Sequence, residues 1–449
     1  MSSVNERVQS TETPPLVEYL KEEIPVEEIR DVSSPKRIAS IDFVKGFAMC
    51  FIILAHSALA WLDDDWRYIY GLVFAFLDIL GPSLFVFLSA LSVIFSIKRK
   101  KEKISKKVIR NRILTRGIVI IVIGILFNPM SLYTSGEDIA FPMNLWGWNF
   151  LVFIGFSQIF SYYVLKFGKI TRAVIGTIII FISPYIRDFL FTYKDDNVGI
   201  WILHFFVTSP LPQVPLLPWL AICFISTIFG EYLYEAMIIG TIESYKKLFK
   251  SFLRWGVFLV VLGFALGFWL HKFSDYESKE FLDFKSEYLH IDLLRIANQQ
   301  DYYKFLGMPD FMVRNTTSNM FYNLGAALLI IAVSFYYIDI KKKSNQFIKM
   351  LIYYGKVSLS LFLIQYLFLP LYIGQFSIIF FPIMWVAYCG FLGLMMYIWM
   401  EYFNGVGSPE WFMVQLGRVG QKTEEFVRKE THLIAEKAKE TIHKIKKED

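Results

Sequence analysis

Ile41-Asp42-Phe43-Val44-Lys45-Gly46-Phe47-Ala48-Met49-Cys50-Phe51-Ile52-Ile53-Leu54-Ala55-His56-Ser57-Ala58-Leu59-Ala60-Trp61-Leu62 is an apolar run interrupted by three ionisable side chains. As a helix it is about 33 Å long, enough to cross the ~30 Å hydrocarbon core of a bilayer. A soluble surface helix of this length would carry a continuous polar face, and this run has none. Comparable runs recur at 69–97, 113–134, 144–166, 170–190, 214–236, 251–271, 318–339, 350–375 and 376–400. Hydrocarbon admits only structures whose backbone polar groups are satisfied internally, and single runs of this length meet that condition as helices. The expectation is an all-α, polytopic integral membrane protein of about ten transmembrane helices.

Composition agrees. Of 449 residues, 55% are hydrophobic and 19% charged, against ~45–50% and ~25% in soluble domains. The net charge of +6 does not mark a nucleic-acid binder, because the bases fall between the apolar runs, where they set orientation. Cys50, Cys223 and Cys389 lie singly inside apolar runs, without the spacing of a disulfide framework or a zinc site. No metal is expected. The polar first forty residues hold no apolar core of a signal peptide, so the first spanning helix is expected to direct insertion.

The connecting segments alternate in charge. One set holds Lys98, Arg99, Lys100, Lys101, Lys106, Lys107 and Arg110, then Lys166, Lys169 and Arg172, then Lys246, Lys247 and Lys250, then Lys341, Lys342 and Lys343. The other holds Asp63, Asp64 and Asp65, then Glu137 and Asp138, then Asp195 and Asp196, then the mixed stretch 272–316. The positive-inside rule places the basic set, and both termini, in the cytoplasm of a multi-pass cell-membrane protein. Three regions follow: a disordered cytoplasmic arm at 1–36, a transmembrane domain at 37–405, and a cytoplasmic tail at 406–449. From residue 421 that tail has the pattern of a basic amphipathic helix lying on the membrane surface. Asn315-Thr316-Thr317 on the outer side matches a glycosylation triplet, and such short triplets are common enough to read this one as chance.

Ionisable groups inside hydrocarbon require a reason. Lys45 and His56 lie eleven residues apart and so share one helical stripe, with Asp42 close to it. Asp42 and Lys45 are expected to form a charge pair near the cytoplasmic surface, with His56 about 21 Å from Asp42, in the outer half. A neutral imidazole there could serve as a general base, or simply hydrogen-bond to a neighbouring helix. Asp78, at similar depth in the second run, could orient that imidazole, pair with a basic group, or line a wet cavity. Arg110, Arg112 and Arg116, at the mouth of the third run, suit bidentate contact with phosphates, or serve as topology signal beside lipid headgroups. His204 lies on an outer segment, the one of the remaining histidines worth watching.

These residues also resemble a known superfamily. Asp42-x-x-Lys45-Gly46-x9-His56 is similar to the first-helix signature of the transmembrane acyltransferases, which reads Asp-x-x-Arg-Gly-x9-His in the acyltransferase-three family. Asp78-x3-Pro82-x-x-Phe85-Val86-Phe87-Leu88-Ser89 and Pro215-Leu216-Leu217-Pro218-Trp219 resemble the second and middle helices of the heparan-α-glucosaminide N-acetyltransferase family. Gly355-Lys356-Val357-Ser358-Leu359-Ser360-Leu361-Phe362-Leu363-Ile364-Gln365 is similar to a late helix of the superfamily, and Gly407-Ser408-Pro409-Glu410-Trp411 resembles the tail of a related membrane family. There are departures: Lys45 stands for arginine, Ala90 for a glycine, and His56 for an asparagine of the heparan-type enzymes.

The resemblance implies transfer of an acyl group, expected to be acetyl, from cytoplasmic acyl-CoA to a sugar or glycan-like acceptor at the outer face. His56 would be catalytic with Asp78 in support, and the coenzyme would contact Arg110, Arg112 and Arg116. The buried polar groups alone also fit a transporter or flippase for a small acid or lipid-linked sugar, or a non-catalytic sensor of the same fold.

Overall fold

Apolar segments long enough to satisfy their own backbone fold here as helices. In the computed structural model, the described residues are 16–21, 38–63, 73, 77–80, 82–98, 106–134, 140–208, 213–271 and 307–415. The helices are α1 (Leu16–Lys21), α2 (Ala39–Trp61), α3 (Pro82–Lys98), α4 (Lys106–Thr134), α5 (Phe150–Val164), α6 (Lys169–Tyr193), α7 (Val198–Val207), α8 (Leu216–Ile239), α9 (Ile242–Leu266), α10 (Thr317–Phe335), α11 (Gln346–Lys356), α12 (Ser358–Phe368) and α13 (Phe381–Phe403). Sheet is confined, among the described residues, to one antiparallel pair, β1 (Leu270–His271) with β2 (Met308–Pro309). The protein is all-α and polytopic.

Seven of these helices are long and apolar enough to cross a membrane, and α11 with α12 makes an eighth if that bent pair counts as one span. The described part of the expected run at 69–97 holds α3, a helix of 17 residues, and the run at 144–166 holds α5, of 15 residues. At 1.5 Å per residue these helices reach about 25 and 22 Å, so they fall outside the seven or eight spans that length alone identifies among the described residues. The run expected at 350–375 is broken: α11 and α12 meet at 86°. The outer segment 191–213 contains α7. Within the arm expected to be unstructured, α1 forms a short helix whose Leu16 is buried against α13. The tail expected to be helical from 421 lies outside the described residues.

Burial separates inner from peripheral helices. In the apolar windows of α2, α8 and α10, 56%, 67% and 67% of residues are buried, against 28% in α4, α6, α9 and α13. The peripheral helices turn apolar side chains such as Leu126, Ile170, Val261 and Ile383 outward, as a lipid-facing surface requires. With lipid tails as apolar as leucine, helix contact rests on close packing, and small residues allow it. A Cβ on Gly46 of α2 would fall 1.8 Å from the carbonyl oxygen of Leu351, and one on Gly355 of α11 would fall 1.8 Å from that of Asp42. These two glycines let α2 and α11 meet backbone to backbone.

Polar side chains tie the remaining contacts. At the Ala39 end of the bundle, Arg172 of α6 bonds Glu231 of α8, which also pairs with Lys98 of α3 at 3.2 Å. At the other end, Asn149 caps α5 by accepting from Val152 N at 2.9 Å and donates to Gly124 O and Asn128 Oδ1 of α4, both at 2.9 Å. Beside β2, Asp310 accepts from Ser318 Oγ and lies 2.9 Å from His271 Nε2. That contact ties the strand pair to the start of α10 and fixes the turn carrying Arg314 and Asn315.

Candidate active site

His56 lies in the last turns of α2, partly exposed, between α12 and α4. Its Nε2 is 3.2 Å from the hydroxyl of Tyr366, which is 3.4 Å from Ser131 Oγ of α4. The ring packs edge-on to Phe362, 5.8 Å between centroids, and tilts against Tyr366 at 5.0 Å. Gln365 lies near the imidazole, and the charge of Arg314 acts on it. The histidine therefore sits among hydroxyl, amide and aromatic side chains, with α12 supplying three of its neighbours.

Asp78 belongs to a second polar cluster. It accepts from Arg314 Nη2 and, at 3.5 Å, from Asn323 Nδ2 of α10. Asn323 also donates to Asn319 Oδ1 at 2.9 Å, and Asn319 to Phe311 O at 2.8 Å. Of the three readings of Asp78, the geometry matches pairing with a basic group and not a bond to His56, whose Nε2 meets Tyr366 and whose Nδ1 is buried without a hydrogen-bond partner among the described residues. The reason is Arg314, a full positive charge from a distant turn that a buried carboxylate takes in preference to a neutral imidazole.

Among the described residues, several buried polar atoms of these two clusters have no hydrogen-bond partner: His56 Nδ1, Gln365 Oε1, Arg314 Nε and Asn323 Oδ1. Buried polar groups are nearly always hydrogen-bonded, so such a set marks a place for water or a ligand. They comprise donors and acceptors, which suits a hydroxyl- or amide-bearing molecule.

The other expected site residues lie elsewhere. Asp42 is buried and Lys45 partly exposed, both in the first turns of α2 beside α11. Asp339 faces Ser40 there, close enough for its charge to act on Asp42. Arg110, Arg112 and Arg116 stand in the first turns of α4, with Arg110 and Arg116 exposed and Arg112 partly so. At 100° per residue, Arg112 and Arg116 share a face and Arg110 points away from it. Nineteen residues, about 28 Å of helix, separate Arg112 from Ser131. His204 is buried in α7 with its ring 6.1 Å from Phe191, not turned toward an arriving molecule. Asn315 is fully buried and its Oδ1 accepts from Trp219 Nε1 at 2.6 Å, so the triplet serves the fold.

Residues 37–270 match the family model described as heparan-alpha-glucosaminide N-acetyltransferase, catalytic. The chain belongs to this family. No curated protein matches it. The matched segment of this acetyltransferase family contributes His56, Asp78, Ser131 and the three arginines. Arg314, Asn323, Gln365 and Tyr366 come from beyond it, so the later helices complete the pocket. Sequence reasoning quoted Gln365 without a role and missed Tyr366, Ser131, Arg314 and Asn323. A tyrosine among 25, in a chain with 44 phenylalanines, gives no signal of its own.

Proposed function

We propose that the protein transfers an acyl group, in the simplest case acetyl, from acyl-CoA on the cytoplasmic side to an amine or hydroxyl of a sugar or glycan-like acceptor at the outer face. The observation that carries this reading is the hydrogen-bonded His56, lodged in a pocket of unpartnered polar atoms within a chain of the acetyltransferase family.

The chemistry follows from the hydrogen bonds. Both contacts admit either direction, and we assign Nε2–H as donor to the Tyr366 oxygen and the Tyr366 hydroxyl as donor to Ser131, which leaves the lone pair of Nδ1 to take a proton. Nδ1 takes the proton of the acceptor nucleophile as it attacks the thioester carbonyl. The tetrahedral adduct collapses, the C–S bond breaks, and the coenzyme leaves as a thiolate that recovers the proton from the imidazolium. General-base assistance of this kind is worth about 10²–10⁴ in rate.

Arg112 and Arg116 would hold the coenzyme's phosphates at the basic mouth of α4, because guanidinium grips phosphate bidentately. Asp78 acts on this site through Arg314, holding that guanidinium beside the imidazole. Membranes containing wild type or His56→Ala, supplied with radiolabelled acetyl-CoA and amino-sugar acceptors, test the reading. Label transfer by wild type alone is expected, and equal transfer by both removes His56 from the mechanism. A transporter or a non-catalytic sensor would show no transfer and no rise in melting temperature with acetyl-CoA.

A further inference from the structure

The break between α11 and α12 leaves a helix start deep in the protein. The first N–H groups of a helix have no partner within it, and a buried start needs a cap. Val357, at the N-cap position of α12, has no side-chain oxygen to supply one. The cap comes instead from Glu410, in a helical turn that follows Ser408 after α13. Glu410 Oε1 accepts from the backbone N of Leu359 and of Ser360, each at 3.0 Å, and Oε2 is bonded to Ser360 Oγ. The turn is itself anchored: Ser408 is fully buried and its Oγ accepts from Trp411 N at 3.1 Å.

From this geometry we infer that Glu410 is a positioning residue, which clamps the start of α12 and thereby holds Tyr366 and Gln365 against His56. Tyr366 is six residues beyond Ser360, about 9 Å along the same short helix. α12 has only 11 residues, and its far end continues into a turn at Leu369–Tyr372. A helix that short has little capacity to hold its own position. Three hydrogen bonds to one carboxyl group, reaching across 50 residues of sequence, are its anchor at the broken end. The effect of this clamp on turnover rests on the proposed role of His56, whereas its effect on the Tyr366–His56 contact does not.

The test uses the full chain in lipid nanodiscs. Diethyl pyrocarbonate labelling of His56, read by peptide mass spectrometry, reports how well Tyr366 covers the imidazole. Wild type, Glu410→Ala, Glu410→Gln, Tyr366→Phe and the Glu410→Ala/Tyr366→Phe pair are compared. Glutamine can accept from both backbone N–H groups and donate to Ser360 Oγ, so it is expected to label at close to the wild-type rate. Glu410→Ala is expected to label roughly fivefold faster, the scale of losing one buried cap. It should match Tyr366→Phe, with no further gain in the pair, and should lower kcat while leaving KM for acetyl-CoA unchanged. Labelling of His271, which belongs to a different part of the fold, should stay constant. The inference is overturned if Glu410→Ala labels like wild type, if the two substitutions add, or if His271 accelerates equally. An absence of transfer activity in wild type would sink the acyltransferase reading and leave the labelling comparison standing.

Discussion

α2 and the α11–α12 pair deliver side chains to the same pocket by opposite means. α2 runs unbroken for 23 residues, touching α11 through Gly46 near one end and presenting His56 near the other. The pair is broken at 86°, and its second half is held by a carboxyl group from beyond α13. The proposed base, His56, thus sits on a helix whose backbone is satisfied internally. Its hydrogen-bonding partners sit on a short helix that depends on distant contacts. In the proposed chemistry the first arrangement fixes what reacts and the second fixes how it is aimed, and losses on the two sides should differ in kind.

The largest expected effect is on the continuous helix. His56→Ala should lower acetyl transfer by about 10²–10⁴, with the acetyl-CoA-dependent rise in melting temperature preserved. A loss of both would show that the ring supports the fold rather than the reaction. Next comes the buried pair beside it. Asp78→Ala leaves Arg314 uncompensated and should cost about 3–5 kcal/mol, read as a fall in melting temperature. Asp78→Asn, which keeps the shape and an acceptor, should cost less. An Asp78→Ala protein as stable as wild type would mean that the pair is not closed to solvent.

On the broken side, Tyr366→Phe removes one hydroxyl and leaves the ring packed against Phe127 and Phe362. The expected loss is about tenfold in kcat, the value of one good hydrogen bond in a low-dielectric site, with little change in stability. A loss as large as that of His56→Ala would erase the distinction between reacting and aiming residues. At the far end of α4, Arg112→Ala with Arg116→Ala should raise KM for acetyl-CoA about tenfold. Arg110→Ala, on the opposite face, should leave it within a factor of two. Equal effects would return all three to the role of topology signal.

The same contrast explains what could be read in advance. α2 was legible because its length, apolarity and three ionisable groups lie within one stretch, and helical spacing alone puts Lys45 and His56 on one stripe. Asp78 was visible as an ionisable group in hydrocarbon, but its partner was not. Arg314 stands 236 residues away, and linear depth says nothing about which neighbour a side chain faces. The break at Val357 lay inside a run long enough to be read as one span. Ser358 and Ser360 interrupt that run, but serines occur along apolar helices throughout this chain, so they announce no bend. Glu410 was noticed only as part of a tail motif, because a cap donated across 50 residues leaves no local pattern.

The smallest expected effect concerns that cap's proton. Burial pushes the Glu410 carboxyl above the ordinary carboxylate range, against the pull of its bonds to Ser360 and Leu359. A group whose folded pKa exceeds its unfolded one binds more protons when folded, so stability falls as pH rises through the interval between the two values. Wild type should therefore lose some thermal stability as pH climbs out of the ordinary carboxylate range. Glu410→Gln, which has the hydrogen-bonding pattern of the protonated acid and nothing to titrate, should lack that component. If the melting temperatures of the two proteins run parallel across that interval, the carboxyl carries no net proton linkage to folding, and the clamp on α12 works through hydrogen bonding alone. If they diverge with the opposite sign, wild type gaining on the variant as pH rises, the ionised carboxylate is the better cap, and its attraction to the start of α12 exceeds the cost of burying its charge.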